Sequence, residues 1–301
     1  MTIRFDGKVA IVTGAGGGLG RAHALEFARR GAKVVVNDLG GAVDGTGGSS
    51  EAAQKVVAEI EAAGGKAIAN GASVTNDAGV AHLVKQTLDA FGRIDVLIAN
   101  AGILRDKSFA KMEIRDFSAV LDVHVMGTVK PAKAVWQFMR DQQYGRIVVT
   151  TSSTGLYGNF GQANYGAAKL GLVGLMHTLK IEGAKDNIKI NAICPVAATR
   201  MTENLMPPQM LEMLKPEYVT PAVVYLASED APTGVIVTAG AGVFSAAQMI
   251  ETNGIHLGPN ATADDVAAAW PRISDFTGAK HYVTGAEQVQ KIVERRQEKP
   301  G

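Results

Sequence analysis

Residues 8–20 read KVAIVTGAGGGLG, and this stretch decides the fold. Lys8 to Thr13 is a short run of small and β-branched apolar residues, the pattern of a strand buried on both faces. Gly14 to Gly20 cannot extend that strand, and from Leu19 to Arg30 apolar positions recur at helical spacing. Glycines alone say little, but a buried strand that runs through them into a helix is the setting of a phosphate-binding turn. Backbone N–H groups at such a helix N-terminus, with no Cβ in the way, suit a pyrophosphate. Gly14, Gly16, Gly18, Leu19 and Gly20 are therefore candidate cofactor residues. A merely structural turn is the competing interpretation.

Outward from this stretch, strand-like and helix-like segments alternate. Gly31 should stop the first helix, and Lys33 to Asp38 (KVVVND) reads as the second strand. A glycine-rich loop from Leu39 to Gly48 leads to a helix beginning EAAQKVV, with Ser49 or Ser50 as its N-cap. Lys66 to Asn70 and Ile94 to Asn100 read as strands around a helix from Ala78 to Phe91. A long helix is expected from Ile114 to Asp141, kinked or interrupted at Pro131. A strand at Arg146 to Ser152, a helix from Asn164 to Ala184 and a strand at Ile188 to Ile193 follow. A helix near Ala222 to Ala227 and a strand at Val235 to Thr238 complete the alternation. This order implies right-handed βαβ units: an α/β fold, a doubly wound parallel sheet of Rossmann-like type. After Gly242 the pattern changes to a C-terminal extension with helical stretches at Ala263 to Trp270 and Ala286 to Arg296. No linker separates it. A single domain over 1–301 is expected, with a core at 1–241 and an extension at 242–301 packed on it.

Asp38 closes the second strand 24 positions after Gly14. A carboxylate there accepts hydrogen bonds from a ribose hydroxyl and repels a 2′-phosphate, which favours NAD over NADP. A turn-capping aspartate is the alternative. Asn100, Ala101 and Gly102 form a small-residue turn after the fourth strand, suited to lie beneath an adenosine. Further on, Tyr165 and Lys169 are four apart on one helix and share a face. A tyrosine with a pKa of ~10 is a poor base near neutrality. A neighbouring ammonium, or a positive nicotinamide ring, stabilises its phenolate. Ser152, thirteen positions before Tyr165 at a strand end, can hydrogen-bond a substrate oxygen. Its neighbours Thr151 and Ser153 read as capping or turn residues.

Composition narrows the partners. Lys plus Arg is 30 and Asp plus Glu is 29, a formal charge of +1, which argues against nucleic acid or an anionic membrane. Cys194 is the only cysteine, so no intrachain disulfide forms, and its ordinary role is as a small buried residue. The N-terminus lacks the apolar stretch of a secretory signal, and no segment approaches the ~20 apolar residues of a membrane span. A cytoplasmic protein without a metal site is expected.

TGAGGGLG at residues 13–20, ANAG at 99–102, then Ser152, Tyr165 and Lys169 resemble the short-chain dehydrogenase/reductase family over about residues 5 to 240. The resemblance implies an oxidoreductase in which Tyr165 is the general base, Lys169 lowers its pKa and binds the nicotinamide ribose, and Ser152 polarises the hydroxyl. It implies further cofactor contacts at Ser73, Val74, Tyr165, Lys169, Pro195 and Thr199. The family usually carries an asparagine where this chain has His124, its backbone carbonyl holding a relay water; His124 is equally readable as catalytic or as structural. A second departure is Cys194-Pro195-Val196, where the family often has Pro-Gly.

VVVNDLGG, NAGILRDKSFAKM, YGNFGQANYGAAKLGL, TRMTENLMP and LKPEYVTP narrow the resemblance to the dehydrogenase region of peroxisomal multifunctional enzyme type 2. This implies NAD-dependent oxidation of a 3-hydroxyacyl-CoA, fatty or steroid, to the 3-ketoacyl-CoA, in a homodimer. A dehydrogenase of free hydroxysteroids is the alternative enzyme, and a non-catalytic NAD(H)-sensing protein the alternative of another class. Arg105, Lys107 and Arg200 are candidates for the CoA phosphates by loop position, with solvated surface charge as the other interpretation. Met201, Met206, Met210 and Met213 suit either an adaptable apolar lid or ordinary helix packing.

Overall fold

The computed structural model describes residues 2–198 and 208–297. Eight strands form one sheet: β1 (Val9–Thr13), β2 (Lys33–Asn37), β3 (Lys66–Asn70), β4 (Val96–Ala99), β5 (Gly145–Thr150), β6 (Ile188–Pro195), β7 (Ile236–Gly240) and β8 (Val243–Ala247). Their spatial order is β3-β2-β1-β4-β5-β6-β7-β8. The pairings from β3 across to β7 are parallel. Every residue of β1, β4 and β5 is buried, as a parallel sheet covered on both faces requires. The intervening helices are α1 (Gly18–Arg29), α2 (Glu51–Ala62), α3 (Asp77–Phe91), α4 (Ile114–Leu121), α5 (Gly127–Asp141), α6 (Ser153–Tyr157), α7 (Ala163–Gly183), α8 (Pro208–Met213) and α9 (Thr220–Leu226). Because β1 lies between β2 and β4, the chain leaves it in one direction and returns on the other side. The crevice at the carboxyl ends of β1 and β4 is thus the switch point at which such sheets take ligands.

The expected boundaries move where side chains intercept the backbone. β4 starts at Val96 rather than Ile94, because the Gln142 amide donates to Ile94 O at 2.7 Å and accepts from Ile94 N–H at 3.1 Å. The long helix after Ile114 is interrupted, but not at Pro131. The break is a π turn over Asp122–Met126, and α5 then runs through Pro131. Pro131 falls in the second turn of α5, directly after the π turn. At the N-terminus of α2 the Ser49 hydroxyl accepts from Glu51 N–H at 3.2 Å, while Ser50 holds the cap position without capping a backbone N–H, its hydroxyl accepting from the Gln54 amide at 3.3 Å.

The chain falls into two compact units, residues 1–246 and 247–301. The sequence pattern changes at Gly242, whereas the first unit continues to Ala246 because β8 extends the sheet. In the second unit, α10 (Ala263–Ile273) opens on a reciprocal cap between Thr262 and Asp265, and α11 is Gly285–Gln297. Lys291 ties that unit together, donating to Glu251 Oε1 at 2.5 Å and to Thr252 O at 2.6 Å. No helix among the described residues is long and apolar enough to cross a membrane.

Candidate active site

A cleft of about 500 Å³ opens at the switch point. At one end the chain turns out of β1 at Gly14, whose φ of 64° favours glycine, and enters α1 at Gly18, φ 51°. Space decides the other glycines. A Cβ on Gly14 would lie 2.8 Å from Ala101 Cα, and one on Gly16 2.8 Å from Asp38 Oδ2. A Cβ on Gly20 would overlap Gly14 O. Gly14, Gly17, Gly18 and Leu19 line the cleft, while Gly16 and Gly20 let the turn pack.

Asp38 follows β2 directly. Its carboxylate accepts from Gly16 N–H at 2.7 Å and from Gly40 N–H at 2.6 Å, which aims it at the glycine turn and leaves lone pairs for further donors. Asn100 donates from its amide to Thr13 O and Gly14 O, both at 3.1 Å. Thr13, which the motif contains but spacing does not single out, receives the N–H groups of Asn100 and Ala101 on its hydroxyl at 3.0 and 3.1 Å. That hydroxyl joins the β1 and β4 turns into one floor. Ser73 and Val74 line the same cleft, as do Asn100, Ala101, Gly102 and Pro195. Val196 also lines it without a positive φ, so the missing glycine costs no backbone strain.

The far end is built from side chains. Ser152 caps α6, its hydroxyl accepting from Thr154 N–H at 3.2 Å. α7 carries Tyr165 and Lys169 on one face, and the Lys169 amine lies 5.4 Å from the Tyr165 ring centre. That amine is buried and donates to Thr150 O at 2.6 Å. Ser152, Tyr165 and Lys169 all line the cleft, whereas Thr151 is buried and donates to Lys169 O. Burial lowers the Lys169 pKa to about 7. The same burial pushes the Tyr165 phenol up to about 12, against a smaller pull downwards from the Ser152 hydroxyl. The acidic phenol expected from Lys169 alone is therefore not a property of the chain by itself. Desolvation is the largest influence on the phenol in the chain alone.

His124 sits in the π turn, with its ring edge-on to Tyr165 at 5.2 Å between centroids. Its Nε2 faces the Ile103 backbone, 2.8 Å from Ile103 O and 3.1 Å from Ile103 N, while Nδ1 is buried without a hydrogen-bond partner among the described residues. Burial holds its pKa well below the usual histidine value. Its carbonyl already accepts from the Thr128 hydroxyl at 2.8 Å. A Cβ on Gly102 would overlap the imidazole, so the ring packs against bare backbone.

Other expectations disperse. Arg105 and Lys107 share Asp116, at 3.1 and 3.4 Å. Thr199, Arg200, Met201 and Met206 lie outside the described residues. Met210 and Met213 are 47% and 63% exposed, so helix packing does not bury them. Cys194 is fully buried on β6.

Comparison with known proteins places this geometry. A family model described as short chain dehydrogenase matches residues 8–209. A short-chain type dehydrogenase/reductase of Mycobacterium tuberculosis is 51% identical over 91% of this chain and 96% of its own length. Mouse peroxisomal multifunctional enzyme type 2 is 50% identical over 97% of this chain, which spans only 40% of that enzyme. The solved full-length multifunctional enzyme type 2 of Drosophila melanogaster superposes with a TM-score of 0.82 at 38% identity, covering 98% of this chain and 50% of that one. A 7α-hydroxysteroid dehydrogenase, solved with NADH and 7-oxo glycochenodeoxycholic acid, superposes at 0.72 with 29% identity, over 79% of this chain and 95% of that one.

Proposed function

The chain belongs to the short-chain dehydrogenase family, and from that premise we propose that it oxidises the secondary hydroxyl of a 3-hydroxyacyl-CoA with NAD⁺ as acceptor. The observation that carries this reading is the meeting of Ser152, Tyr165 and Lys169 in a cleft whose other end holds the glycine turn and Asp38. The residues present fit a nicotinamide dinucleotide: the glycine turn excludes Cβ atoms where they would close it, and Asp38 keeps lone pairs for a ribose hydroxyl. The choice of NAD over NADP rests on that carboxylate. The acyl-CoA substrate rests on the similarity to multifunctional enzyme type 2.

When bound, the oxidised dinucleotide supplies the hydride acceptor and a positive charge. Ser152 holds the substrate oxygen by hydrogen bonding and orients its proton towards Tyr165. The phenol, which keeps its own proton at neutral pH in the chain alone, becomes a base only as positive charge gathers around it. Lys169, anchored on Thr150 O and titrating near neutrality, contributes part of that charge and takes up or releases a proton behind the phenol. His124 remains neutral and braces the Tyr165 ring edge-on.

Steady-state assays with NAD⁺ on (3R)-3-hydroxyacyl-CoA thioesters and on free hydroxysteroids test the proposal. We expect kcat/KM to favour the thioesters. The likeness to the 7α-hydroxysteroid dehydrogenase favours the second substrate class, and a preference for the free steroid by orders of magnitude would overturn the first.

A further inference from the structure

The connection from β2 to α2 is a closed loop rather than a loose one. Ser49 N–H donates to Leu39 O at 2.8 Å, pinching residues 39–48 at their base. Within the loop Ala42 N–H donates to Thr46 O at 2.8 Å and Gly45 N–H to Ala42 O at 3.0 Å. Thr46 N–H adds a bond to Asp44 Oδ1 at 3.0 Å. Such a loop, its ends together and its interior bonded, is a compact unit on its base.

Its outer edge is fastened across the cleft. Leu104 N–H donates to Val43 O at 3.0 Å, and Arg105 Nε–H donates to Asp44 O at 3.0 Å. Arg105 is itself held by Asp116 Oδ1 on α4, at 3.1 Å. Val43 on the loop and Ile103 and Leu104 on the opposite wall line one cleft, so the loop bridges the β2 side and the β4 side of its dinucleotide half.

We propose that residues 39–48 are a strap that gates passage of the dinucleotide, and that Arg105 is the positioning residue that latches it. The proposal rests on reading the cleft as a dinucleotide site. Both partners of each latch bond belong to the chain, so the latch holds with or without a ligand. It must therefore open for the dinucleotide to pass in either direction. Weakening it raises the rates of association and release by the same factor and leaves Kd in place. A residue that merely touched the dinucleotide would change release and Kd together.

Arg105→Met keeps the aliphatic stem and removes the donors. Stopped-flow fluorescence with NADH should show both rates rising ~10-fold, the scale of one lost charge-assisted hydrogen bond, with Kd changed by less than about twofold. Arg105→Lys should fall between. Asp116→Asn, on the other side of the latch, should move both rates in the same direction. Amide hydrogen exchange in the ligand-free chain gives a readout independent of turnover. Leu104 N–H should lose protection in Arg105→Met while the β2 amide of Val35 keeps it, which also reports that the fold is intact. Faster release with unchanged association would overturn the gate, as would Leu104 deprotected with neither rate altered. A parent chain that binds no NADH would refute the dinucleotide reading itself, and would do so before any variant is made.

Discussion

At the end of the cleft formed by the glycine turn, Asp38 and the strap, the chain contributes backbone N–H groups, empty space and one carboxylate. At the other end Ser152, Tyr165, Lys169 and His124 contribute side chains, with Lys169 and His124 buried and Tyr165 partly so. The first end works through shape. A Cβ at Gly14 or Gly16 would collide with Ala101 or Asp38 and distort the turn. The second works through protonation, because burial moves the phenol to about 12 and the amine to about 7. Binding and chemistry are thus assigned to different physical effects, and each should be removable without the other.

The sharpest break of that separation is Tyr165→Phe. It should lower turnover by ~10³-fold or more, the upper scale of a lost general base, while NADH affinity by fluorescence titration stays within about twofold. Equal losses in both would show that the two ends are one unit. Ser152→Ala should cost ~10²-fold in kcat/KM, against little change for Ser153→Ala, since both serines line the cleft but it is the Ser152 hydroxyl that bonds the Tyr165 phenol. Similar losses for the two serines would mean that the wrong hydroxyl has been assigned. Asp38→Ala belongs to the other end: kcat should hold, while the preference for NAD⁺ over NADP⁺ falls by ~10-fold or more. An unaltered preference would remove Asp38 from ribose recognition.

The smallest effect concerns stability. The folded amine of Lys169 titrates at about 7 against an ordinary 10.5. Between those values the unfolded chain binds a proton that the folded chain refuses, so stability falls as pH drops from 10.5 towards 7. Lys169→Met should erase this slope. Thermal melts should show the inactive variant gaining a few degrees over the parent at pH 7, and the gain shrinking towards pH 10.5. A gain independent of pH would place the buried charge elsewhere.

Much of this was legible in the residues. The β1–glycine–α1 stretch, Ser152 and the Tyr165–Lys169 pair depend on short-range spacing along single elements, which sequence reports directly. The π turn at Asp122–Met126 was not legible. Pro131 drew the expected break to itself, and a π turn leaves no residue-type signature to compete with it. The start of β4 was missed for a related reason, since its rival bonds come from Gln142, far along the chain. The sign of the phenol's shift was hidden too. Spacing shows which charge is near a group, but only coordinates show how much water has been excluded. Loop position alone offers Arg105 to the CoA phosphates or to solvent, and its two acceptors, Asp44 O and Asp116, become neighbours only when the loops fold.

The contact between Gly102 and the His124 ring has a consequence for how this site can change by descent. The imidazole occupies the volume that any side chain at residue 102 would claim. A smaller residue at 124 must therefore arise first, after which 102 is free to grow; the opposite order passes through a collision beside the reacting tyrosine. Positions 102 and 124 form a one-way path. Replacing both in Gly102→Ala/His124→Ala should be tolerated where Gly102→Ala alone is not.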